Sequence, residues 1–111
     1  MRIVANEEPN YEEIFSGDSA DREEYARYTE DPELLNVFAY DPVVTVRYWA
    51  ARKDETPTEA LDSLAEDANK QIRLCVAKNS NSGPVALTIL AEDDVPAIRY
   101  WVARQDRKSV V

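Results

Sequence analysis

The sequence predicts an all-α fold, a short right-handed α-solenoid of about three 26-residue two-helix repeats with an acidic N-terminal cap. Three observations support this fold class. Residue types recur at a 26-residue interval, apolar residues follow helical spacing, and no useful stretch shows the apolar and polar alternation of a strand. Since a single pair of short helices cannot bury its own apolar face, neighbouring repeats are expected to cover one another.

The predicted organisation along the chain has three segments. They are an acidic N-terminal extension with a degenerate capping repeat at 1–33, the helical repeats at 34–107, and a tail at 108–111. The degenerate copy is the stretch EEYARYTEDPELL, whose Ala26 and Arg27 match Ala51 and Arg52 of the following unit.

The net charge of −9 is concentrated in the first segment. Residues 1–33 hold 11 acidic and 3 basic side chains, a net charge of 3 − 11 = −8, whereas residues 34–111 hold 11 and 10, a net of −1. The summed field of such a molecule repels phosphate, which argues against nucleic acid as a partner and opposes attraction to an anionic membrane.

The repeat is read from columns of similar residues 26 positions apart. The columns are Leu35, Leu61 and Leu87; Phe38, Leu64 and Leu90; Asp41, Asp67 and Asp93; Val46, Ile72 and Ile98; Ala51, Ala77 and Ala103; and Arg52, Lys78 and Arg104. So many three-copy matches in one register indicate repeated structural units.

Each unit is predicted to contain two short helices. In ETPTEALDSLAED we expect a capping box in which Thr56 bonds the N3 amide and Glu59 reaches back, with Pro57 in the first turn. The second helix follows an aspartate that can cap free amides, and Val46 and Trp49 begin its inward apolar stripe.

Metal and cofactor chemistry is not expected. The chain has no histidine, and its one cysteine, Cys75, is expected to act as a small apolar filler. No apolar run approaches the ~20 residues of a membrane span, and MRIVANEEPN lacks a signal-peptide apolar stretch, so we expect a cytoplasmic protein.

Two stretches, DPVVTVRYWAARKDETPTEALDSLAED and DANKQIRLCVAKNSNSGPVALTILAED, resemble the leucine-rich repeat variant, a bacterial relative of HEAT repeats. The resemblance covers about residues 30 to 107. It implies an array of paired helices that acts as an interaction scaffold and not as a catalyst. The unit here is longer than the family's usual one, and the cysteine cluster that carries an iron–sulfur centre in one member is missing.

The resemblance also implies a structural ladder of hydrogen bonds between units. Its members are Asp41, Arg47, Asp67, Arg73, Asp93 and Arg99. Arginine suits this role because its planar guanidinium can bond a carboxylate through two nitrogens and still reach a carbonyl at a helix end.

One set of residues is predicted to face outward and to bind a partner. On a helical wheel with Val46 at zero, Tyr48 falls near 200° and Arg52 near 240°, opposite the inward stripe. The predicted partner-binding residues are Tyr48, Arg52, Leu74, Lys78, Tyr100 and Arg104. Second helices commonly line the concave side of a solenoid, where aromatic and basic residues suit an extended acidic peptide.

The sequence therefore predicts a protein–protein interaction scaffold or adaptor with no catalytic residues. The alternatives are a nucleic-acid-related module, either a binder or an acidic mimic that blocks a DNA-binding protein, and an enzyme or accessory factor. Self-association through the C-terminal end is also expected, because no polar helix covers the last unit around Trp101 and Val102.

Overall fold

Seven helices account for most of residues 17–109, the part of the chain that the computed structural model describes, with side chains described as far as Gln105. They are α1 (Ser19–Tyr28), α2 (Pro32–Phe38), α3 (Val44–Arg52), α4 (Thr58–Leu64), α5 (Lys70–Lys78), α6 (Pro84–Leu90) and α7 (Pro96–Ser109). Residues 17–109 contain no strand, so the predicted all-α class is confirmed. Residues 1–16 of the predicted acidic cap and the last two residues of the predicted tail lie outside the described range.

The helices follow the 26-residue interval of the sequence. Helices α2, α4 and α6 begin at residues 32, 58 and 84, and α3, α5 and α7 begin at residues 44, 70 and 96. The longer helices pack in chain order, α1 against α3, α3 against α5 and α5 against α7. No helix within residues 17–109 is both long and apolar enough to cross a membrane. The cytoplasmic location stays a prediction.

Local capping fixes where the helices begin. Asp31 accepts a hydrogen bond from the backbone N–H of Glu33 at 3.0 Å, with Pro32 in the first turn of α2. Asn69 accepts from the N–H groups of Gln71 and Ile72 at the start of α5. Such side-chain acceptors satisfy N–H groups that have no partner inside the helix.

The predicted capping box at Thr56 is wrong. Helix α4 begins one residue after Pro57, and the buried Thr56 hydroxyl donates to the carbonyl of Ala50 at 2.5 Å instead. Ser82 donates to Val76 in the same way at 2.7 Å. The last carbonyls of α3 and α5 have no partner inside their helices, and these hydroxyls satisfy one carbonyl of each.

A single buried apolar cluster runs from α1 to α7. It includes three columns of the repeat, namely Phe38, Leu64 and Leu90; Val46, Ile72 and Ile98; and Ala50, Val76 and Val102. The first two columns are 0–1% exposed. Burial of these side chains stabilises the packing of each helix pair on the next through the hydrophobic effect.

Candidate interaction surface

The predicted ladder aspartates and arginines bond across consecutive units. Nε of Arg47 lies 2.8 Å from Oδ2 of Asp67, and its Nη1 donates to the carbonyl of Asp41 at 2.8 Å. Arg73 repeats both contacts one unit later, with Oδ2 of Asp93 at 2.8 Å and the carbonyl of Asp67 at 2.8 Å. We call these residues, with the pair below, the Asp–Arg ladder.

The first pair of the Asp–Arg ladder was not predicted from the sequence. Arg22 of α1 donates from Nε to Oδ2 of Asp41 at 2.8 Å and from Nη1 to the carbonyl of Gly17 at 2.9 Å. Arg22 precedes Arg47 by 25 residues and not 26, in line with the single deletion in the degenerate copy. Arg99 donates to the carbonyl of Asp93 at 2.6 Å, and to no carboxylate among the side chains described up to Gln105.

Charge pairing stabilises the ionised state of Asp93 and Arg73 in the Asp–Arg ladder. Burial by itself would raise the pKa of Asp93, but hydrogen bonds from Arg73 and from the N–H of Val95 outweigh it, and the pKa is lowered. The hydrogen bond to Asp93 raises the pKa of Arg73. A carboxylate that is held ionised beside a guanidinium forms a structural ion pair and does not act as a proton donor.

The predicted tyrosine and arginine residues meet in pairs on α3 and α7. Nη1 of Arg52 donates to the hydroxyl of Tyr48 at 3.3 Å, and Nη1 of Arg104 donates to the hydroxyl of Tyr100 at 3.2 Å. Arg52, Arg104 and Tyr100 are exposed, and Tyr48 is half-buried. The wheel therefore gives the correct direction for three of these four side chains and overstates the exposure of Tyr48, which also packs against the core.

Both tryptophans of the sequence border this surface and also pack against the core, as expected for Trp49. Trp49 is half-buried, and the guanidinium carbons of Arg27 and Arg52 each lie 5.2 Å from its ring centroid. For Trp101 the cations are Lys78, with Nζ at 5.0 Å, and Arg104, with its guanidinium carbon at 5.4 Å. These separations fall within the range of cation–π interaction.

In each case one cation comes from the preceding helix of the series and the other from the tryptophan's own helix. We call this set the cation–aromatic row. Its members are Arg27, Trp49, Arg52, Lys78, Trp101 and Arg104. The recurrence of a cation 22 or 23 residues before each tryptophan is the sequence signal that could have identified it.

The middle unit departs from its neighbours. Leu74 occupies the column of Tyr48 and Tyr100, and Cys75 occupies the column of the tryptophans. Leu74 is half-buried against the core, so it adds less to the exposed surface than was expected. The smaller side chains leave a depression in the row.

That depression is a cavity of about 330 Å³, which we call the Cys75 pocket. It is lined by Tyr48, Arg52, Asp54, Cys75, Lys78 and Asn79. Burial raises the pKa of the Cys75 thiol, against the opposing effect of the positive charges of Arg52 and Lys78. At neutral pH the thiol is therefore protonated and poorly nucleophilic.

The prediction of an exposed C-terminal end is wrong for Val102. Val102 is 3% exposed and belongs to the core cluster, while Trp101 is half-buried. Val102 is turned toward the neighbouring helix by the same i, i+4 spacing that buries Ile98. Self-association through this end stays a prediction.

Among residues 17–105, no three Cys, Asp or Glu side chains are grouped so as to hold a metal ion.

None of the protein-family models, curated proteins or solved structures compared with this chain is significantly similar to it. The resemblance to the leucine-rich repeat variant therefore stays a prediction. Geometry alone supports a functional argument for this surface.

Proposed function

We propose that this protein is a non-catalytic interaction module that binds an extended acidic segment of another protein along the cation–aromatic row. The observation that carries the proposal is the repeated contact between cations and rings, with Arg27 and Arg52 at Trp49 and Lys78 and Arg104 at Trp101. All four of these cations are more than a third exposed and already lie in place, so little side-chain freedom is lost when a carboxylate binds.

The proposed architecture is a short right-handed α-solenoid. It is supported by the 26-residue spacing of the helix starts and by the recurrence of the same Asp–Arg contacts from unit to unit. In that architecture α3, α5 and α7 lie side by side, and the row crosses them in a direction that an extended chain can follow.

Charge also favours an acidic partner over other macromolecules. The whole molecule carries −9, so the row is a local positive site on an acidic protein. Local attraction to carboxylates then operates over about one Debye length, roughly 8 Å at physiological ionic strength, while the distant acidic residues are screened. A polyphosphate such as nucleic acid would cover a larger surface than the row. It would therefore meet repulsion from the acidic residues around the row.

The test is a titration with a twelve-residue peptide of glutamate, aspartate and alanine, followed by intrinsic fluorescence. The only two tryptophans of the chain lie in the row, so their emission reports binding there directly. We expect saturable binding that weakens as salt is raised, and at least a tenfold loss in an Arg52→Glu, Arg104→Glu variant.

The matched control is Lys70→Glu, Lys53→Glu, which changes the net charge equally at two lysines outside the row. We expect the control to bind within about threefold of the parent, because its charges lie outside the row. Equal losses in both variants, or no binding of the peptide, would contradict the proposal. Tighter binding of a single-stranded oligonucleotide than of the peptide would favour the nucleic-acid alternative.

A further inference from the structure

The cation–aromatic row has a gap at the position where repeat symmetry calls for a ring. Trp49, Cys75 and Trp101 are 26 residues apart, and both tryptophans contact a cation of the preceding helix and a cation of their own helix. For Cys75 the corresponding cations are Arg52 and Lys78. Both line the Cys75 pocket, so the two cations are present and the ring between their positions is absent.

The pocket has the size and wall chemistry of a side-chain subsite. Its volume of about 330 Å³ lies at the low end of ligand pockets, too small for a large cofactor and sufficient for one ring with its backbone attachment. Tyr48 and the half-buried Cys75 supply apolar and polarisable contact area, and the exposed Asp54 and the buried Asn79 supply polar groups.

The lining carries two cations against one anion. Arg52 and Lys78 are exposed and oppose only Asp54, whose carboxylate also accepts a hydrogen bond from Ser80 at 3.0 Å. An aromatic ring placed there would meet cations as Trp49 and Trp101 do, and carboxylates on either side of it would complement the remaining positive charge.

We infer that the Cys75 pocket receives an aromatic side chain of the acidic segment bound along the row, which supplies in trans the ring that the middle unit lacks. This inference rests on the proposed function and adds the anchor residue of the partner. The occupant is phenylalanine, tyrosine or tryptophan flanked by aspartate or glutamate. Rigid aromatic side chains that fill a pocket commonly dominate the affinity of such interfaces.

The experiment uses three fluorescein-labelled acidic peptides that differ only at the central position, which is Phe, Leu or Ala. Fluorescence anisotropy gives their affinities for the intact protein, for Cys75→Trp and for the matched control Cys75→Ser. We expect the Phe peptide to bind the intact protein about tenfold more tightly than the Ala peptide. This preference should persist in Cys75→Ser and disappear in Cys75→Trp, whose indole fills the pocket.

A second measurement does not depend on how well Cys75→Trp folds. Cys75 is the only thiol, so its alkylation by iodoacetamide in the intact protein can be followed by mass. Saturating Phe peptide should slow alkylation at least fivefold, and the Ala peptide bound to the same occupancy should slow it less than twofold.

The outcomes separate the inference from the proposed function. If the three peptides bind the intact protein equally well, the row binds acidic segments and the aromatic anchor is wrong. If the Leu peptide binds as tightly as the Phe peptide, the pocket is a general apolar site, which also overturns the inference. If no peptide binds, both the inference and the proposed function are wrong.

Discussion

Arg47 and Asp67 are 20 residues apart in the sequence, and Nε of the arginine lies 2.8 Å from Oδ2 of the aspartate. The same atoms meet at the same distance in the Arg22–Asp41 and Arg73–Asp93 pairs. Each arginine also donates to a backbone carbonyl just before its own helix, so one side chain bonds both the segment that leads into that helix and the next unit. This double contact fixes the spacing of adjacent helix pairs.

Loss of Arg47 should therefore be costly. In Arg47→Met the Asp67 carboxylate, only 9% exposed in its side chain, keeps the N–H of Asn69 and loses its charged partner. We expect the free energy of unfolding, measured in urea, to fall by about 2–3 kcal/mol. The control is Arg99→Met, which removes a bond to a carbonyl only and should cost less than about 1 kcal/mol. Equal losses in the two variants would contradict a special role for the ladder.

Acid should weaken the Asp–Arg ladder through Asp93. Its pKa is below the ordinary value of 3.8, so the unfolded chain takes up the proton at a higher pH than the folded protein does. The stability contributed by Asp93 is therefore complete above the ordinary pKa and is lost as the pH falls from there through the folded pKa.

The measurement is urea unfolding at a series of pH values from about 6 to 3, for the parent and for Asp93→Asn. The variant should be less stable than the parent at pH 6, and the difference should shrink toward pH 3. Because the other carboxylates titrate in both proteins, the difference isolates Asp93. A difference that is independent of pH would show that the charge of Asp93 contributes nothing.

The hydroxyl of Thr56 should matter for the end of α3 and not for the start of α4. In Thr56→Val the buried carbonyl of Ala50 keeps the N–H of Lys53 but loses its hydroxyl donor and faces a methyl group instead, and we expect a loss of about 1–3 kcal/mol in the free energy of unfolding. Thr56→Ser keeps the donor and removes one methyl group, which should lower the free energy of unfolding by about 1 kcal/mol. Valine should therefore be the more damaging substitution. The reverse order would favour a packing role for the methyl group.

The all-α fold could be predicted because one register of apolar residues, aspartates and prolines repeats through the chain. The errors have local physical causes. Thr56 lies between two helices. Its sequence context is compatible with a capping box for the following helix, and equally with a hydroxyl that bonds the preceding helix. Arg22 was missed because a single deletion shifts it out of the 26-residue register.

The candidate site was predicted in part. The wheel gives the direction of Arg52 and Tyr100 on their own helices, and both are exposed. It contains no information on the neighbouring helix, so the approach of Arg27 to Trp49 and of Lys78 to Trp101 could not be derived from it. Comparison of the columns does reveal that the middle unit has a cysteine where its neighbours have tryptophan, but the resulting cavity depends on packing between units.

Asn79 provides a second connection between units. Its buried amide donates to the carbonyls of Ala51 and Lys53, both at 2.9 Å, and its side-chain oxygen accepts from the N–H of Asn81 at 2.8 Å. Gln105, 26 residues later, donates to the carbonyls of Ala77 and Asn79 in the same manner. The carbonyls at the C-terminal ends of α3 and α5 are thus satisfied by the side chains of Asn79, one residue past α5, and of Gln105 on α7.

Asn79→Asp isolates the two donors of that amide. The substitution keeps the oxygen that accepts from Asn81, removes both bonds to α3, and places a carboxylate against two carbonyl oxygens. We expect a loss of about 3–4 kcal/mol in the free energy of unfolding at pH 7, compared with less than about 0.5 kcal/mol for the exposed control Asn36→Asp.

Burial and repulsion should raise the pKa of the introduced carboxyl in the folded protein above its unfolded value. The folded state then takes up the proton first as the pH falls, so the penalty of Asn79→Asp relative to the parent should decrease between pH 7 and about pH 4.5. Urea unfolding at the two pH values measures this change. A variant as stable as the parent at pH 7 would mean that the amide donors do not contribute to holding α5 on α3.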